Sequence, residues 1–200
     1  MSFTDVYYTG EHEQYEDLTK FRVRWQGKPW GIWPSLLGDD CHGYRPMHMT
    51  YCLLHGVSVW PQGFLGRNDM ARKTANLWQT YDKFGYRQAE WIPYYRAEVG
   101  PAEPGLVQTG LVQTGLVQTG DPNVKVSLYL HRGKRALLIV GNLAHEVVRA
   151  QLKLDLKAIG LEGASAVNAL DDRPLTLDGD VLSVRLRPTS FVLVILAEAK

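Results

Sequence analysis

Cysteine is scarce: Cys41 and Cys52 are the only two, too few for a disulfide framework. Long apolar runs are missing as well. The longest are Ala136–Val140 and Phe191–Ala197, far below the ~20 residues of a membrane-spanning helix, so no membrane crossing is expected. Nor is there an excess of one charge. Lysine plus arginine total 22 against 21 acidic residues, with 11 and 11 in residues 1–100 and 11 and 10 in 101–200. A nucleic-acid-binding surface normally shows as a basic excess or stripe, which argues against such a partner. Met1–Asp5 has no basic stretch leading into an apolar one, so no secretory signal is visible. The glycine-rich nucleotide turns Gly-x-Gly-x-x-Gly and Gly-x4-Gly-Lys-Ser/Thr are absent, as are His-Glu-x-x-His and Gly-x-Ser-x-Gly. No cofactor is therefore expected.

What is present is a chain of 200 residues, 45% apolar and 22% charged, the composition of an ordinary globular protein of one or two domains. Its aromatic residues are divided unequally. Residues 1–100 hold all six tryptophans, nine of ten tyrosines and four of five phenylalanines, leaving Tyr129 and Phe191 to 101–200. Between the two compositions lie Pro101–Gly105 and three copies of Leu-Val-Gln-Thr-Gly at 106–110, 111–115 and 116–120. A period of five matches neither helix nor strand, so 99–122 reads as a linker grown by tandem duplication.

The first part alternates strand and helix. Val6–Tyr8, Pro29–Trp33 and Val57–Pro61 are short strand-like runs. Helical spacing links Tyr15, Leu18, Phe21 and Trp25; then Met47, Tyr51 and Leu54 after Pro46; then Met70, Leu77, Tyr81 and Phe84 before Gly85. Repeated βα units predict a parallel sheet covered by helices. With aromatic and polar loops after the strands, the pattern favours a (β/α)8 barrel over an open doubly wound sheet. A barrel takes about 250 residues and eight units, whereas three are visible, so residues 1–98 read as the last βα units of a barrel. The second part, 123–200, alternates with period two and carries turn signals at Arg132–Lys134 and Asp178–Asp180, which predicts an antiparallel β-sandwich of about seven strands. The fold class expected is α/β plus all-β.

Barrel chemistry sits at the carboxyl ends of the strands. Just past or at the ends of the expected strands stand Tyr8 and Glu11, then Trp33, Asp39 and Asp40, then Trp60. Carboxyl groups beside flat aromatic rings suit glycosidic bond cleavage, which needs a pair of carboxyls and a stacking surface for the sugar. Glu11 is the candidate catalytic acid, with Tyr8, Trp33, Asp39, Asp40 and Trp60 as candidate saccharide contacts. Glu11 with His12, Glu13, Glu16 and Asp17 also reads as an acidic first helical turn, and Asp39 and Asp40 as a solvated turn after Gly38. A metal site built from Cys41, His42, His48, Cys52 and His55 competes, although their spacing departs from the usual paired zinc-ligand arrangements.

Several runs carry a resemblance: Tyr7–Glu11, Met47–Pro61, Phe84–Tyr86 leading to Ala89–Tyr95, Val126–Tyr129 and Ala136–Leu143. Together they resemble the carboxyl-terminal portion of glycoside-hydrolase-like proteins similar to the family 123 glycosidases. The resemblance implies a (β/α)8 barrel followed by a β-sandwich, a carbohydrate substrate, Glu11 as a glutamate at a barrel strand end, and assistance from a 2-acetamido group of the substrate. Thr9 departs from the aspartate that often precedes Gly-Glu in that stretch. Most catalytic residues are then expected upstream of this chain. The other reading is a non-catalytic carbohydrate-binding or structural protein that keeps the fold.

Overall fold

The computed structural model describes residues 6–9, 17–25, 33–37, 39–40, 43–44, 46–60, 68–97 and 115–198. Its amino-terminal part is built from β1 (Val6–Thr9), α1 (Leu18–Trp25), β2 (Trp33–Leu37), β3 (Asp39–Asp40), β4 (Gly43–Tyr44), α2 (Pro46–Leu54), β5 (Ser58–Trp60) and α3 (Asn68–Phe84). Strands β1, β2 and β5 pair side by side and parallel. Parallel neighbours require a crossover, which α1 and α2 provide. Helix α2 opens on Pro46, whose missing N–H costs nothing in the first turn. It closes on Gly56 at φ 65, where Gly56 N–H donates to Leu53 and Val57 N–H to Cys52. That pair of bonds satisfies two of the helix's terminal carbonyls, and glycine takes the left-handed position without strain.

The second strand differs from the expected run: it begins at Trp33 and ends at Leu37. Its pairing with β5 starts only at Ser35, one residue past Pro34, which has no N–H to give to a ladder. The residues that lock this strand to the helices are Leu36 and, on β5, Val59, which face each other in register and are both buried.

From Glu90 onward the chain is antiparallel. It comprises β6 (Glu90–Ile92), α4 (Tyr94–Ala97), β7 (Val117–Gln118), β8 (Val124–His131), β9 (Arg135–Asn142), β10 (Val148–Leu154), α5 (Leu156–Ile159), β11 (Ala164–Asn168), β12 (Pro174–Leu175), β13 (Leu177–Asp178), β14 (Val181–Leu186) and β15 (Phe191–Glu198). These form a six-stranded sheet, β12-β11-β15-β9-β8-β6, and a four-stranded sheet, β13-β14-β10-β7. Two expected boundaries move. Residues 90–92, grouped above with the barrel segment, pair with β8 in the larger sheet. The third Leu-Val-Gln-Thr-Gly copy is not linker: Val117 and Gln118 pair with Leu154 and Lys153 of β10, and Leu116 and Val117 are buried. The first two copies lie outside the described residues.

The larger sheet is covered on both faces. Toward the smaller sheet it presents Val126, Leu128, Leu130, Ala136, Leu138, Val140, Val194 and Leu196, in a core made wholly of aliphatic residues. Toward the helices it presents Tyr129, Leu137, Ile139 and Leu193, which join Phe21, Trp25, Met49, Leu54, Tyr81 and Tyr94 in a second, aromatic-rich core. Alternate residues of one strand therefore serve two cores, which is why Ala136–Val140 is apolar without interruption. Helix α2 lies so close to β9 that a Cβ at Gly141 would come within 2.8 Å of Leu54 and Thr50. The Ser127 hydroxyl donates to the Leu54 carbonyl at 2.6 Å and accepts from the Tyr94 N–H at 2.8 Å.

Candidate functional site

Parallel strands that all run the same way bring their carboxyl ends to one edge, here Thr9, Leu37 and Trp60. Tyr8 is in register with Ser35, and Ser35 with Ser58. Two residues further along, Leu37 is in register with Trp60. Asp39 and Asp40 follow immediately beyond that edge, as one arm of a short hairpin in which Asp39 pairs with Tyr44 and Asp40 with Gly43. The backbone thus gathers Tyr8, Asp39, Asp40 and Trp60 at the carboxyl edge of one sheet. Glu11 lies outside the described residues, two positions past the end of β1.

Trp33 is at the other end. It opens β2 and pairs with Val6, four residues from Leu37, or roughly 13 Å at the usual rise of a strand. The sequence expectation had it closing a strand; because the strand begins there, it stands at the amino edge. Ser35 and Ser58 escaped the sequence reading. Leu36 and Val59 face the helices, so their alternating neighbours Ser35 and Ser58 lie on the other face, and Ser35 is buried there. The strand frame 33–37, once known, reveals them by period two.

The described members of the competing metal cluster are packing residues. His48, Cys52 and His55 are all buried in the packing of α2, while Cys41 and His42 fall outside the described residues. Burial pushes the Cys52 thiol up, away from the thiolate a metal needs. Burial pulls His55 down to about 4, with Arg22 acting in the same direction and the carbonyls of Tyr51 and Leu18 opposing it. Its Nδ1–H donates to the Tyr51 carbonyl at 2.7 Å, and its ring packs against Phe21 at 4.7 Å and edge-on to Tyr94 at 5.4 Å. His55 is thus a neutral packing residue. Among the described residues no three His, Cys, Asp or Glu side chains gather where an ion could be held.

His131 is similarly occupied: its Nε2–H lies 3.2 Å from the carbonyls of Phe84 and Gly85, closing the end of α3. A network of rings surrounds that end. Tyr81 meets Tyr86 at 5.4 Å and Tyr129 at 5.5 Å, and Trp91 meets Tyr129 at 4.4 Å. These aromatics join the two halves of the chain.

No protein-family model matches the chain, and no curated protein matches it. Solved structures do. A family 27 β-L-arabinopyranosidase of Geobacillus stearothermophilus superposes on 98% of this chain with a TM-score of 0.56 and 15% identity, using 46% of its own length. An α-amylase of Geobacillus thermoleovorans matches 89% of the chain at TM-score 0.55 and 10% identity, over 43% of its length. A family 30 endoxylanase of Clostridium papyrosolvens matches 98% at TM-score 0.50 and 14% identity, over 49% of its length. This chain therefore has a glycosidase-like fold and spans about half the length of the structures it matches. The matching proteins are glycosidases in which a (β/α)8 barrel is followed by a carboxyl-terminal β-domain.

Proposed function

We propose that the chain is the carboxyl-terminal portion of a glycoside hydrolase. In this reading β1, β2 and β5 are the last strands of a (β/α)8 barrel, and the antiparallel sheets from β6 onward are its accessory sandwich. One observation carries it: glycosidases of several families superpose on nearly all of this chain with about half of their own. The parallel βαβαβ unit followed by two antiparallel sheets has the same order of parts.

The carboxyl edge of the parallel sheet is then the rim of a saccharide pocket, since barrel enzymes place their chemistry there. Glu11 delivers a proton to the glycosidic oxygen, Tyr8 and Trp60 offer ring faces to the sugar, and Asp39 and Asp40 bind its hydroxyls. Trp33, at the opposite edge, falls outside that rim. The partner carboxyl belongs to upstream strands. Its distance from Glu11, about 5 Å or about 6.5–9.5 Å, sets retention or inversion. Membership near family 123, with help from a substrate 2-acetamido group, is a finer reading supported by the sequence runs alone.

The test uses the reading frame extended upstream. Glu11→Gln in that longer protein should lower kcat on aryl glycosides by about 10²–10⁴-fold, the usual worth of a positioned proton donor. Unchanged turnover would remove Glu11 from the chemistry. A longer wild-type protein that binds saccharides but cleaves none would establish the non-catalytic reading instead.

A further inference from the structure

On the face of the smaller sheet turned away from the core, two like charges are set directly opposite each other. Arg149 of β10 is in register with Arg185 of β14, and Gln151 with Ser183. Their alternating neighbours Ala150, Leu152, Leu182 and Val184 are buried, so this row faces out. Like charges directly across a strand pair are destabilising. Lys153, next along the same face, has an acid for partner, Asp180 at 4.0 Å. The arginines do not: among the described residues neither guanidinium makes an ion pair or side-chain hydrogen bond.

The turn after β7 rises beside them and encloses an open depression of about 720 Å³. The acid in that wall, Asp121, is turned to its own loop and accepts the Asn123 N–H at 2.8 Å. What the depression offers is two guanidinium forks flanked by an amide and a hydroxyl. Such forks match the paired oxygens of a carboxylate or sulfate. No aromatic residue occurs on β7, β10, β13 or β14, so among the described residues no ring is offered for a neutral sugar to stack on, and the two guanidinium groups are the distinguishing feature.

We propose that this depression binds the oxyanion of an acidic saccharide, a uronate carboxylate or a sulfate ester, between Arg149 and Arg185. The saccharide part rests on the glycosidase reading; the oxyanion part rests on the geometry. A bound oxyanion removes the repulsion that the empty sheet face carries.

The experiment is calorimetric titration of the full chain with oligogalacturonate, dextran sulfate, neutral dextran and polyglutamate at low salt. Expected is saturable binding of one acidic glycan, at least tenfold weaker for neutral dextran and polyglutamate and weakened by 0.5 M salt as exposed charges are screened. Which acidic glycan binds identifies the oxyanion. The R149Q/R185Q double variant should lose that binding at least tenfold while melting no lower than the parent. Absence of binding to both acidic glycans, or binding retained in the double variant, would overturn the site. Equal binding of polyglutamate would overturn its saccharide assignment. Loss of turnover in the longer Glu11→Gln protein with oxyanion binding intact would separate this site from the catalytic reading.

Discussion

His55 shows how a residue that suggests a ligand in the sequence becomes a structural one. It follows α2 directly, and the turn that closes on Gly56 leaves it buried against the rings of Phe21 and Tyr94. Held near a pKa of about 4 by burial, it is neutral when folded and free to protonate near 6.5 when unfolded. The unfolded chain therefore binds more protons between those values, and stability, complete above pH 6.5, is lost as pH falls toward 4. The two values correspond to about 3 kcal/mol. Urea midpoints measured from pH 7.5 to 4.5 should fall more steeply for the parent than for His55→Gln; equal slopes would mean that His55 is solvated. Ser127 is the other decisive single residue. It answers a carbonyl at the end of α2 and an N–H at the start of α4 with one buried hydroxyl. Ser127→Ala leaves both groups without that partner and should cost about 2 kcal/mol in chemical denaturation, the penalty for stranding buried polar groups. A change under ~0.5 kcal/mol would show that another group replaces the hydroxyl.

At the scale of elements, the five-residue repeat illustrates what local pattern cannot express. Leu-Val-Gln-Thr-Gly has the same sequence in each copy, and the third supplies an edge strand on β10 with Leu116 and Val117 in the aliphatic core. That place beside β10 is a tertiary property the five residues do not encode by themselves. Deleting residues 106–110, which read as linker in the sequence, should shift Tm by less than about 2 °C, because shortening a linker changes its closure entropy slowly. Leu116→Ser with Val117→Ser should lower Tm by more than about 8 °C, since it removes two buried apolar side chains. Similar Tm values for the two variants would mean that an upstream copy replaces the third in the sheet. Other elements were readable in advance. α2 with its proline start and glycine stop, α3 with its period, and the Asp178–Asp180 hairpin all stand where propensity and turn chemistry put them. The second strand moved by four residues, from Pro29–Trp33 to Trp33–Leu37, because an apolar run tells that a strand is near but not which residues meet the neighbouring strands.

At the scale of the whole molecule, the unequal aromatic distribution acquires a physical meaning. The boundary it marks lies between two cores, since among the described residues the one between the sheets contains no ring. Tyr129 and Phe191, the two aromatics of the second part, both belong to the helix-side core. The larger sheet is thus the wall of both cores, and the parallel unit and the sandwich share it. Five of the six tryptophans precede Glu90 and report on the first part, with Trp91 on β6, whereas far-UV circular dichroism also reads the strands of the second. Melting curves followed by tryptophan fluorescence and by circular dichroism should coincide within about 2 °C, as one cooperative transition requires. Separate transitions would show that the shared wall does not couple the two parts.

From the sequence alone came the alternation of βα units, the antiparallel second part and the glycosidase resemblance, because hydrophobic period and turn chemistry are local properties. The carboxyl-edge grouping of Tyr8, Asp39, Asp40 and Trp60, the exclusion of Trp33 from it, the burial of His48, Cys52 and His55, and the facing arginines at 149 and 185 were decided only by tertiary structure. Each depends on strand register or on which face of an element another element covers, and those are set by residues far apart in the chain.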